Sequence, residues 1–120
     1  VFKAIFLAAQ LAVAPESVDE AKAMADANEA SLSRDLTEQL LESQGQALGT
    51  ALAACGRPHM DLAVFTVVLS LNADGSVKRS WRKGDTYLAK CMHAALDASG
   101  LAGEWPEPFY TSIVLTLREP

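Results

Sequence analysis

Between Asp61 and Trp81 the chain reads DLAVFTVVLSLNADGSVKRSW, and no other stretch limits the fold so strongly. β-Branched and aromatic residues fill its first half, the pattern breaks at Asn72 to Gly75, and alternation resumes with Val77, Arg79 and Trp81 against Lys78 and Ser80. Such a run folds back on itself as a β-hairpin. Its first strand has Phe65, Val67, Leu69 and Leu71 on one side and Val64, Thr66 and Val68 on the other, which predicts a central strand. The second strand has a largely polar face and is expected to keep that face in water. Its alternation puts Trp81 on the packed face with Val77.

A hairpin needs cover, and the flanking patterns are helical. Ser33 reads as an N-cap, and Leu36, Leu40, Leu48 and Leu52, with Leu41 and Cys55 on the same broad stripe, predict the main amphipathic helix over 34–55. Gly45 and Gly49 thin it, as they would where a strand comes close. Ser17 with Glu20 forms a capping box for an earlier helix to about Ala30. Its apolar positions, Val18, Ala21, Met24 and Ala25, are mostly small, so weak packing is expected. After the hairpin, Asp85 reads as the cap of a helix striped by Leu88, Cys91, Met92, Ala95 and Leu96, with Gly100 as its stop. EWPEP is an extended connector into a last strand, where Phe109, Thr111, Ile113, Leu115 and Leu117 alternate with Tyr110, Ser112, Val114 and Thr116. The predicted order is helix, helix, strand, strand, helix, strand.

With 120 residues, half of them apolar, the chain suits one domain with one core. A net charge of −5 gives no whole-chain reason to expect nucleic acid or an anionic membrane as partner. The charge is uneven: Glu16 to Glu42 holds eight acids against Lys22 and Arg34, whereas Lys78, Arg79, Arg82 and Lys83 crowd the hairpin. Residues 1–14, VFKAIFLAAQLAVA, have the layout of a secretory signal peptide and are too short to span a bilayer as a helix. A buried N-terminal helix is the rival reading, and Pro15 directly after the cleavage position favours it.

A helix ending in Cys55, a strand leading into LNADGSVKRSW, then GDTYLAKCMHAAL, then Trp105-Pro106-Glu107-Pro108 and a final strand together resemble the C-terminal domain of the TonB and TolA families of bacterial energy transducers. The two-cysteine TonB-like variants are the most similar. The resemblance spans about residues 35–118 and implies an α+β fold: a small antiparallel three-stranded sheet with helices packed on one face, in the order ααββαβ. On this reading 1–14 is the apolar segment, 15–33 an added acidic helix, and 34–120 the TonB/TolA-like domain. It also implies a binding role in the periplasm, often by adding a partner strand to a sheet edge. The transducers carry a transmembrane anchor and a long spacer, and this chain shows neither, so a terminal module used alone as an exported protein is expected.

Cys55, His59, Cys91 and His93 offer the ligand set of a structural zinc site, but Cys91 and His93 are two residues apart and so point about 200° away from each other on a helix. A Cys55–Cys91 disulfide fits an exported domain and the two-cysteine relatives; two buried free thiols are the alternative for a cytosolic chain. Neither cysteine has an oxyanion loop or an orienting acid nearby in sequence, and His93, opposite the apolar stripe, reads as a surface residue; no enzyme activity and no cofactor are expected. The residues expected to bind a partner protein are Lys78, Arg79, Trp81, Arg82 and Lys83 of the basic hairpin, and Phe109, Thr111 and Ile113 of the last strand, read as the open edge. A packed Trp81 is the competing reading. Two functions remain: a non-catalytic periplasmic or secreted interaction module accessory to an envelope transport or secretion system, or an exported immunity, inhibitor or structural protein that uses its acidic helices. A homodimer through the sheet edge is a further alternative.

Overall fold

The computed structural model describes residues 14–117. The apolar segment read as a signal peptide therefore lies, but for Ala14, outside the described residues. Three helices, α1 (Val18–Ala30), α2 (Arg34–Cys55) and α3 (Tyr87–Ser99), accompany three strands, β1 (Phe65–Leu71), β2 (Val77–Lys83) and β3 (Phe109–Leu115). The sheet is antiparallel in the order β2-β1-β3. The α+β class, the ααββαβ order and the central position of β1 are as expected.

Local chemistry explains most boundaries. Ser17 and Ser33 accept from the backbone N–H groups of Glu20 and Leu36, as N-caps do. Helix α3 is capped by Thr86, which accepts from Ala89, and not by Asp85. It ends at Gly100 with φ 61° and ψ −161°, a positive-φ conformation that suits glycine and strains any residue with a Cβ. That glycine also lies against the hairpin turn, where Leu101 N–H donates to Gly75 O at 3.0 Å and Trp105 N–H to Ala73 O at 2.9 Å. A Cβ on Gly75 would collide with the Leu101 carbonyl. At the turn itself, hydrogen bonds from the Ser76 hydroxyl and N–H hold the Asp74 carboxyl below its ordinary pKa.

The sheet carries helices on both faces, whereas the resemblance implied one. Phe65, Val67, Leu69 and Leu71 of β1, with Phe109, Thr111 and Ile113 of β3, form one face and pack with Leu40, Ala51, Leu88, Met92 and Leu96 from α2 and α3. Cys55 and Cys91 are joined by a disulfide that ties α2 to α3 on that side. The opposite face presents Val68, Trp81 and Tyr110, and α1 covers it with Ala21 and Ala25, both fully buried. The small side chains that suggested weak packing are what let α1 approach so closely.

A bulge explains why Trp81 and Val77 part company. Leu71 pairs with Val77 but Ser70 pairs with Arg79, so one residue, Lys78, is extra on β2. An inserted residue reverses the alternation. Val77 consequently joins the α2/α3 core while Trp81 joins the α1 side. The glycines of α2 have no packing role: a Cβ on Gly45 or Gly49 would meet nothing within 4 Å, so no strand comes close there.

Candidate interaction edge

A three-stranded sheet has two edges, and the side chains around them decide which is open. On β3, Asn28 Oδ1 accepts from Tyr110 N–H at 2.8 Å and Glu29 Oε2 accepts from Ser112 N–H at 2.9 Å. The same carboxylate oxygen accepts from the Thr111 hydroxyl at 2.6 Å, and that hydroxyl in turn accepts from Gln44 Nε2 at 2.9 Å. The last turn of α1 and the middle of α2 thus close around the β3 edge. Phe109, Thr111 and Ile113, expected to meet a partner, are core residues at 1%, 0% and 5% exposure. The expectation that β3 is the open edge is therefore corrected: two of its outward N–H groups are already bonded.

Geometry then fixes the other edge. In an antiparallel ladder each residue of a central strand directs both backbone groups to the same neighbour, alternating along the chain. Tyr110 and Ser112 point outward from β3, so their partners Ser70 and Val68 must bond to β2, through Arg79 and Trp81. Ser80 and Arg82 accordingly present their N–H and C=O groups away from the sheet. Among the described residues, no group outside the sheet bonds to the backbone of β2.

The five hairpin residues expected to bind are all on this strand, but each has internal contacts. Lys78 Nζ is 3.5 Å from Glu107 and Lys83 Nζ is 3.2 Å from Asp19, both exposed pairs worth about 0–1 kcal/mol. The acidic first helix and the basic hairpin therefore meet within the molecule. Arg79 donates to the Pro15 carbonyl at 3.3 Å and lies over the Trp81 ring at 4.8 Å. Trp81 is 8% exposed, its ring centroid 5.8 Å from that of Tyr110; the packed reading holds, and its Nε1–H has no partner among the described residues.

Arg82 leads to a cluster that sequence reasoning missed. Its NH1 is 2.9 Å from His93 Nδ1, its Nε donates to Gly84 O at 2.8 Å, and its NH2 is 3.7 Å from Asp85. On the other side of the ring, His93 Nε2 is 2.7 Å from Ser80 Oγ, which donates to Asp97 Oδ1 at 2.7 Å. A guanidinium only donates, so Nδ1 is the unprotonated nitrogen and Nε2 carries the hydrogen. The chain runs one way: Arg82 to His93 to Ser80 to Asp97. Burial, then the Arg82 charge, lower the His93 pKa, and Asp97 opposes them. A serine beside a histidine suggests a nucleophile and base, but here the imidazole donates to the hydroxyl and cannot accept its proton. His93 is off the apolar stripe of α3, as its spacing indicated, yet β2 passes there and makes it half-buried.

The sulfurs of Cys55 and Cys91 are bonded to each other, and His59 is an exposed loop residue. No helix among the described residues is long and apolar enough to cross a membrane. Compared with family models, with curated proteins and with solved structures, the chain matches none.

Proposed function

We propose that this chain is a non-catalytic protein–protein interaction module that binds an extended, acidic partner segment as an added strand along β2. The observation that carries the reading is the contrast between the two edges: Asn28 and Glu29 occupy two of the outward N–H groups of β3, while among the described residues nothing covers the Ser80 and Arg82 backbone groups of β2. Strand addition takes its affinity from such backbone groups and its selectivity from flanking side chains. On β2 those side chains are Lys78, Arg79, Arg82 and Lys83, which favour carboxylates and discourage pairing of β2 with a second copy of itself. Location in the bacterial envelope is part of the proposal, supported by the disulfide and by the resemblance to TonB and TolA C-terminal domains.

An interface made from the acidic helices fits less well, because Glu29 is committed to the Thr111 hydroxyl and the Ser112 N–H of β3. The test is amide hydrogen exchange of the full chain with a synthetic peptide alternating Glu and Val. Added protection at Ser80 and Arg82, weakened in Lys78→Glu/Lys83→Glu, is the expected result. Protection confined to β3, or binding indifferent to the charge reversal, sinks the reading.

A further inference from the structure

The residues that offer β2's free backbone groups, Ser80 and Arg82, are the two whose side chains His93 holds. Their side chains share the α3 side of the sheet because they are two apart on one strand. α3 therefore controls the rungs a partner strand would use. We propose that the Arg82–His93–Ser80–Asp97 chain is a proton-operated latch on the β2 edge, which holds Arg82 while His93 is neutral and releases it to an acidic partner when His93 is protonated. The inference rests on the reading of β2 as the binding edge.

The mechanism follows from the hydrogen count. Neutral His93 has one acceptor nitrogen, Nδ1, and Arg82 occupies it at 2.9 Å. A proton added at Nδ1 removes the acceptor and puts two cations in contact. The guanidinium has somewhere to go: its Nε stays on Gly84 O, while Asp85, 92% exposed, lies 3.7 Å from NH2 toward solvent. The imidazolium keeps its Nε2–H on Ser80, whose hydroxyl remains bonded to Asp97. One contact opens and the rest persist.

The charged surroundings leave few other causes for such a transition. On β2 the group facing His93 is Arg82, on α3 it is Asp97, and before α3 it is Asp85 acting through Arg82. Strand β1 carries no charged side chain. Those of α2, Arg34, Asp35, Glu38 and Glu42, are exposed in its first three turns, and none of them shifts His93. Acidification adds a charge to the edge and frees a second, so an acidic segment binds more tightly as pH falls.

The experiment has two readouts on the full chain. The first is an NMR titration of the His93 ring, the Arg82 Nε–H and the Ser80 amide, with Arg82→Gln as comparison. The three groups should share one midpoint below the ordinary imidazole value, and Arg82→Gln should raise the His93 midpoint. The second is affinity for the Glu/Val peptide at about pH 7.5 and at about one pH unit below the His93 midpoint found in the titration. It should tighten about three- to fivefold at the lower pH, the worth of one exposed charge pair, and His93→Gln should abolish the change. If Arg82 does not move with His93, the latch is overturned whatever the peptide does. If the titration behaves as described but the peptide binds at neither pH, the edge is not a binding site and its regulation falls with it.

Discussion

Glu29 offers the sharpest test of how this sheet is closed. Replacing it by alanine removes the acceptor for the Thr111 hydroxyl at 2.6 Å and for the Ser112 N–H at 2.9 Å. Hydrogen bonds to a charged group are worth about 1.5–3 kcal/mol each. Ser112 is half-buried and its N–H can turn to water, which puts it at the low end. Thr111 is fully buried, and its hydroxyl hydrogen is left without an acceptor. The sum is about 3 kcal/mol, or a Tm lowered by about 12 °C in a domain of this size. Urea unfolding followed by the fluorescence of Trp81 and Trp105, both buried, measures it. Glu29→Gln keeps an acceptor oxygen and should cost less than half as much. Asp26→Ala, one turn earlier and paired only with Lys22 at the surface, should stay within about 0.5 kcal/mol of the parent. A Glu29→Ala protein equal in stability to Asp26→Ala would refute the argument that this carboxylate closes the edge.

Three further outcomes are expected. The Cys55→Ala/Cys91→Ala double variant should lose about 4 kcal/mol in urea unfolding, from the loop of sequence separation 36 that the disulfide closes. Gly49→Ala should stabilise by about 0.5–1 kcal/mol, since a helix-interior glycine is replaced where a Cβ meets nothing; a loss would mean that another surface packs on that helix face. Because the folded pKa of His93 is lowered, its contribution to stability is whole above about pH 6.5 and is lost as pH falls through the folded value, the unfolded chain taking up the proton first. The difference in urea midpoint between the parent and His93→Gln should therefore shrink on acidification.

The elements were legible because each is written locally. Ser17, Ser33 and Gly100 mark helix ends by the chemistry of their own backbone neighbours, and the switch from period 3.6 to period 2 marks the hairpin. The faces were harder to read. Alternation through β2 would hold only without a bulge, and Lys78 carries no mark that distinguishes a bulged residue from a paired one. The edges were not legible at all. Asn28 and Glu29 look like solvated helix residues until β3, 82 residues later, is brought beside them. His93 is the same case: read as a surface residue opposite the apolar stripe, it is half-buried because the tertiary fold brings Arg82 and Ser80 of β2 against it.

The same placement of α1 bears on how the chain assembles. Helix α1 is synthesised before the strands, yet its contacts reach Lys83 at a sequence separation of 64 and β3 at 82 and 83. Central strand β1 can pair at once with β2 through a short turn, and α3 can dock soon after. β3 comes last, so until it arrives α1 lacks its principal partner and Tyr110 is missing from the cluster around Trp81. Contacts this distant make a domain of its length slow to fold. α1 is thus made before every strand it packs on and is completed only when β3 arrives, and a nascent chain halted before β3 would leave the apolar face of α1 open to the folding machinery around it.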